Sequence, residues 1–291
     1  MQLNSLKKYQ PKQGGTGSNS ASDAKFTENI PVQLTSGKTL GKYGNGSTIN
    51  AIGKSVQEVL KDIAFEYLPP AFTAFAMQGQ ATTVEVGTVI SGLKNFTWSI
   101  SNNGNVQANS ITVTDVTNNA NLAVSIANDG SENINVGSVT KSSKASHQWR
   151  ASAINTLGTT LQSSVFTVNW QFKRFVGTST NATLTESQIE ALTGTLGADN
   201  TGTYAMAAGG YKYLCFPDSY GSPASTTGFK DTATGFTVAM ADIADNTFFS
   251  NNQNGWYYGL VAVTNALGVT ENYRVYRSKN ILGGSINIQV S

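Results

Sequence analysis

The side chains able to do chemistry are few and scattered. His147 and Cys215 are the only imidazole and thiol among 291 residues. The turn spacing described below puts them in different structural units, so a Cys-His nucleophile pair would have to form across a unit boundary. One cysteine also excludes an intramolecular disulfide framework and a cysteine-built zinc site. Two carboxylate pairs, Asp242 with Asp245 and Asp218 with Asp231, are of the type that sugar hydrolysis uses, but a chain of this length yields such pairs by chance. Gly37-Lys38-Thr39 has the ending of a phosphate-binding loop, yet Val32 stands where that loop needs its first glycine, and no parallel strand-to-helix unit surrounds it. Asn128-Asp129-Gly130-Ser131-Glu132 gathers oxygen ligands beside a glycine without the regular ligand spacing of a calcium loop, and reads as a hairpin turn. These residues give the expectation of a non-enzyme with no catalytic residue, no metal and no cofactor.

Composition points the same way. Charged residues are 12% of the chain, well below the roughly 25% usual for soluble domains, while Asn, Ser, Thr and Gly make up about two residues in five. Nineteen Lys plus Arg against seventeen Asp plus Glu leave a net charge of +2 with no basic stripe, so nucleic acid is not an expected partner. The start, Met1-Gln2-Leu3-Asn4-Ser5-Leu6-Lys7-Lys8, lacks the apolar core of a secretory signal, and no stretch reaches the ~18 apolar residues of a membrane span. The expectation is a soluble product of a cytoplasm, with no membrane insertion.

The elements that would position any site are β-strands. A hairpin turn occurs twice: Asn155-Thr156-Leu157-Gly158-Thr159-Thr160 and Asn265-Ala266-Leu267-Gly268-Val269-Thr270 share Asn-x-Leu-Gly-x-Thr, 110 positions apart (265 minus 155). An aromatic, Phe166 or Tyr276, stands eight residues after each glycine. The spacing is close to the roughly 100 residues of an immunoglobulin-like sandwich, which suggests two related modules in tandem. Period-two runs support this: Phe96, Trp98 and Ile100; Leu122, Val124 and Ile126; Trp149, Ala151 and Ala153; Phe166, Val168 and Trp170; then Tyr211, Tyr213 and Cys215. Trp98 is the leading core aromatic of the first module, and Thr185 with Gln188 has the spacing of a capped helical turn in the second. Upstream, Ser55 and Glu58 form a capping box opening a helix with Val56, Val59, Leu60, Ile63, Ala64 and Tyr67 on one stripe, stopped by Pro69-Pro70. The expected fold is mainly β, with a flexible arm at 1–28, a hairpin-plus-helix unit at 29–70, and immunoglobulin-like sandwiches at 71–177 and 178–291.

Two surfaces stand out as candidate binding sites. The helix stripe must bury itself against its own preceding hairpin or against the same helix in other subunits, and Val56, Leu60 and Ile63 suit threefold packing in a homotrimer. Phe248, Phe249, Trp256, Tyr257 and Tyr258 cluster around Asn251-Asn252-Gln253-Asn254-Gly255, setting flat rings beside amides, a match for the CH faces and hydroxyls of a glycan. Ordinary core packing is the competing reading for those rings, since alternation along the Trp256 strand must turn some of them inward.

Thr35-Ser36-Gly37-Lys38-Thr39-Leu40-Gly41-Lys42-Tyr43, followed by Gly46-Ser47-Thr48-Ile49 and the capped helix Ser55 to Tyr67, resembles the N-terminal unit of fibre and appendage proteins from tailed bacteriophages, especially crAss-like and other phages of Bacteroidetes hosts. Val168-Asn169-Trp170 and the closing run from Tyr273-Arg274-Val275-Tyr276-Arg277-Ser278 through Gly284-Ser285-Ile286-Asn287-Ile288 are similar to repeats in those proteins. The resemblance covers most of residues 30 to 291. It implies a virion protein made in the host bacterial cytoplasm, commonly a homotrimer, attached to capsid or tail proteins through its N-terminal region and displaying its modules, with a host-surface glycan as a further partner. A carbohydrate-binding module or adhesin is the main alternative, and an assembly chaperone or scaffold the third.

Overall fold

A computed structural model describes residues 25–34, 39–40, 43–64, 68–127, 130–221, 229–233, 237–240 and 255–291. The fold is mainly β. The N-terminal unit holds four two-residue strands, β1 (Ile30–Pro31), β2 (Thr39–Leu40), β3 (Tyr43–Gly44) and β4 (Thr48–Ile49), and the helix α1 (Val56–Ala64). The Ser55 amide donates to Glu58 Oε2 at 2.7 Å and the Glu58 amide to Ser55 Oγ at 3.3 Å, so the capping box forms as read. The bond from the Ser55 amide holds the Glu58 carboxyl below its usual range. Val59 is buried with Val32, Ile49 and Ala51, and Ile63 packs against them. The Tyr43 hydroxyl donates to Asp62 at 2.6 Å, fastening the helix to its own hairpin.

The first β unit encloses one core between two sheets. One sheet has β5 (Ala71–Met77), β7 (Ile90–Ser101) and β10 (Gly130–Val139), with β7 in the middle. The other orders β6 (Thr83–Glu85), β13 (Phe166–Gln171), β11 (Ala145–Ile154), β8 (Ile111–Asp115) and β9 (Ala120–Ile126), with β12 (Thr160–Gln162) also on β11. Alternation supplies the core: Phe96, Trp98 and Ile100 from one sheet meet Ile111, Val113, Trp149, Ala151, Val168 and Trp170 from the other. The edge strand β9 departs from the expected pattern. Ile126 is buried and Leu122 partly so, but Val124 is 59% exposed, because the register with β8 shifts and Ser125 adopts φ +59°.

Strand pairing divides the chain at Phe172, a few residues before the boundary expected at 177. Phe172 still belongs to the first core, whereas β14 (Lys173–Ser179) pairs only with β15 (Thr193–Leu196) and β17 (Tyr211–Pro217). The remaining elements are α2 (Glu186–Glu190), β16 (Gly202–Met206), β18 (Phe229–Asp231), β19 (Thr237–Met240), β20 (Gly255–Thr264), β21 (Thr270–Ser278) and β22 (Ile286–Val290). Here the strands form one continuous sheet, ordered β15-β14-β17-β21-β20-β19-β18-β22-β16, so the second unit does not repeat the pairing of the first.

Both faces of the central strand β17 are covered. Leu214 and Phe216 join Tyr204, Met206, Phe229, Tyr276, Ile288 and Val290 on one side. Tyr213 and Cys215 join Phe175, Val263, Tyr273 and Val275 on the other, closed by Leu184 and Ile189 of the α2 segment. The alternation read at Tyr211, Tyr213 and Cys215 was therefore half of a strand buried on two sides. The α2 turn is held by the Thr185 amide donating to Gln188 Oε1 at 2.9 Å.

Candidate functional site: the hairpin joint between the β units

The duplicated turn has one construction in both places. In the first, the Asn155 amide donates to Thr159 O at 2.9 Å and the Gly158 amide to Asn155 O at 2.9 Å. The Asn155 side-chain oxygen accepts the Leu157 and Thr159 amides at 3.0 and 2.8 Å. In the second, Asn265 pairs with Val269 O at 3.0 Å and accepts from Gly268 at 2.9 Å. Its Oδ1 takes the Leu267 and Val269 amides at 3.1 and 3.0 Å. The glycines carry φ +83° and +79°, the left-handed geometry that closes a three-residue hairpin loop. Asparagine is needed because its short side chain accepts two amides of its own loop.

The second hairpin, joining β20 to β21, seats on the first unit. Asn265 Nδ2 donates to the Val86 carbonyl at 2.7 Å. Leu267 and Val269 press on Gly87, where an added Cβ would sit 2.8 Å from the Leu267 Cβ and 2.9 Å from a Val269 methyl. Gly87 has φ +94°, its amide donates to Lys141 O at 2.9 Å, and Thr88 closes the turn onto Glu85 O at 3.0 Å.

A collar of polar contacts surrounds the plug. The Tyr220 hydroxyl accepts the Phe172 amide at 2.8 Å and faces the Phe172 carbonyl at 3.2 Å, and burial pushes its phenol up to about 12. The Tyr273 hydroxyl donates to Lys173 O at 2.9 Å, Lys173 pairs with Glu85 at 2.8 Å, and Lys144 donates to Ala198 O while lying over the Tyr220 ring. The arrangement fixes one unit against the other.

The residues singled out for chemistry are dispersed. His147 lies fully inside the first core, its Nε2 2.8 Å from Asp115 Oδ1 and its ring 4.5 Å from that of Trp149. Asp115 also accepts the backbone and side-chain amides of Asn118 at 3.0 and 2.9 Å. Asp115 was not anticipated, because only strand register brings Trp149, two residues from His147, opposite it. Cys215 is completely buried in the second unit, and burial pushes its thiol well above the usual range. Asp218 is held by Arg274 at 2.5 Å, and Asp231 accepts the Ala233 amide at 2.9 Å; Asp242 and Asp245 lie outside the described residues.

Gly37 and Lys38 also lie outside them, as do Asn128 and Asp129, while Gly130, Ser131 and Glu132 open β10. Among the described residues no three His, Cys, Asp or Glu are grouped so that they could hold a metal ion, and no helix is long and apolar enough to cross a membrane.

Of the ring cluster, Phe248 and Phe249 are outside the described residues. Trp256, Tyr257 and Tyr258 lie on the backbone of β20 opposite Ser278, Arg277 and Tyr276. Of the helix stripe, Ile63 is used inside its own unit, Val56 is half-buried and Leu60 is 57% exposed. Composition could not have marked Gly87 or Lys212. Lys212 is fully buried, and its ammonium donates to the carbonyls of Ala207, Gly209 and Leu282 at 2.5, 3.0 and 3.2 Å. No protein-family model matches this sequence, and no curated protein is significantly similar to it.

Proposed function

We propose that this chain is a non-enzymatic structural component of a phage virion, a fibre anchored by its N-terminal region that displays two β units outward, toward a host surface. The observation that carries the reading is the hairpin joint. A plug seated in a glycine notch and ringed by polar contacts holds two β units in fixed relation, which is what a spacer needs. The surface chemistry suits that role, being dominated by uncharged hydrogen-bonding groups. The N-terminal unit has a core of its own, separate from those of the β units, and Leu60 exposed on its helix leaves an apolar side chain for self-association in a trimer or for the particle. In this reading the two β units are immunoglobulin-like modules, and the duplicated hairpin is what remains of their common pattern.

The test is immunogold labelling of particles in negative stain, with a fusion of residues 1–70 to an unrelated trimer and a truncated chain lacking them. Label on projections from the particle, attachment of the fusion and failure of the truncated chain to attach support the reading. Label only on cell surfaces supports an adhesin, and label only on empty particles a scaffold. Normal incorporation of the truncated chain reverses the polarity.

A further inference from the structure

Lys212 places a cation where the fold offers no carboxylate. It shares strand parity with Leu214 and Phe216, so its stem leaves β17 on the face that packs against Tyr204, Met206 and Ile288, and the side chain is completely buried. Its ammonium meets three backbone carbonyls, those of Ala207 at 2.5 Å, Gly209 at 3.0 Å and Leu282 at 3.2 Å. Among the described residues no carboxylate pairs with it, and burial draws its pKa below the ordinary lysine value with no charged neighbour to offset that. The carbonyl dipoles are therefore what hold the charge. A charged amine has one N–H for each of these carbonyls, whereas a neutral amine is one donor short, so the geometry is that of the ammonium. Carbonyl oxygens converging on a monovalent cation stand in for its lost hydration shell.

The cage joins two loops. Ala207 and Gly209 lie between β16 and β17, and Leu282 lies between β21 and β22. The Leu282 amide donates to Gly210 O at 3.1 Å, the Lys212 amide to Ser278 Oγ at 3.0 Å, and that hydroxyl onward to Asn280 O at 2.9 Å. Gly209 and Gly210 carry φ +76° and +68°, and a Cβ on Gly210 would lie 2.6 Å from Ser179 O, so the first loop takes this path only with glycine there. Ser278 stands opposite Trp256 in register, at the end of the β20–β21 pair away from the hairpin joint.

We propose that the Ala207, Gly209 and Leu282 carbonyls form a primary-ammonium site that the chain fills with its own Lys212, and that this internal ion holds the two loops together at the far end of the second unit. Because the ion is tethered, the loops stay closed at any salt composition. Lys212 is a positioning residue for that end of the sheet, and the role does not depend on the chain being a fibre.

The test is chemical rescue of full-length Lys212→Ala, since n-propylammonium has the atoms that this substitution removes. The variant should melt roughly 5 °C below wild type, and its Leu282 amide should exchange with solvent about tenfold faster. n-Propylammonium chloride should restore both relative to sodium chloride at equal ionic strength. It should leave wild type and Lys212→Met unmoved, because there the chain's own atoms fill the cage. Equal rescue by tetramethylammonium, which has the charge but no N–H, or by propan-1-ol, which has the shape but no charge, overturns the proposal. So does the absence of rescue by n-propylammonium. The wild-type chain gives a reading that misfolding of a variant cannot remove. With lysine Nζ labelled with nitrogen-15, one ammonium should keep all its protons at neutral pH and exchange them at least about tenfold more slowly than exposed lysines do; a chain without such a signal refutes the assignment.

Discussion

Gly87→Ala should uncouple the two β units, and the cost can be worked from the geometry. Any side chain at φ +94° costs about 1 to 2 kcal/mol in backbone strain. The new Cβ would also lie 2.8 Å from the Leu267 Cβ, too close for real atoms, so the hairpin tip must lift. Lifting it breaks the Asn265–Val86 hydrogen bond, about 1 kcal/mol, and exposes the half-buried Val269, about 1 kcal/mol more. The total is about 3 to 4 kcal/mol. Gly158→Ala is the matched control, with φ +83° in the sister hairpin and nothing within 4 Å of its Cβ, so it bears the strain alone, about 1 to 2 kcal/mol. Urea unfolding of the full chain would measure both, and calorimetry should show the transition splitting only for Gly87→Ala. If the two variants lose the same stability within about 0.5 kcal/mol, the joint does not depend on close approach and the argument that it fixes the two units fails.

Asp115→Ala should cost about 1 to 3 kcal/mol in urea unfolding, because it strips the backbone and side-chain amides of Asn118 of their acceptor and empties the space beside His147, while Asp115→Asn keeps the shape and should cost less than half as much. Lys212→Met removes the donor that the carbonyls of Ala207, Gly209 and Leu282 share and should lower stability by about 1 to 3 kcal/mol; a neutral result would mean that water already serves them. Tyr43, Tyr204, Tyr213, Tyr220 and Tyr273 all have phenols raised by burial, so unfolded tyrosines ionise first, and stability should hold to about pH 10 and fall above it. Tyrosinate absorbance that grows while the circular dichroism stays native would contradict that linkage. Residues 71–291 should fold without the N-terminal unit, yet residues 68–291 should melt higher, since Leu68 and Pro69 supply carbonyls to Asn105 and Asn102; equal melting temperatures would show that those bonds add nothing.

Local rules made several features legible in the sequence. The Ser55–Glu58 and Thr185–Gln188 caps form because a capping box needs only residues three apart. The Asn-x-Leu-Gly-x-Thr hairpins form because asparagine bonds to its own loop and glycine tolerates positive φ. Alternation in β7, β11 and β13 marked the first core, since each strand there has one face inward. Other outcomes depended on contacts distant in sequence. Alternation could not show that Lys212, Leu214 and Phe216 are buried along with Tyr213 and Cys215, because a second layer covers the other face of β17. Nor could it distinguish two equal hairpins, one of which meets Gly87 while the other pairs with the Asn105–Gln107 segment, for the first fit joins segments about 180 positions apart (267 minus 87). Hydrogen bonds within a turn are chosen by neighbours along the chain, whereas a notch, a buried cation or a covered sheet face exists only once distant strands have packed.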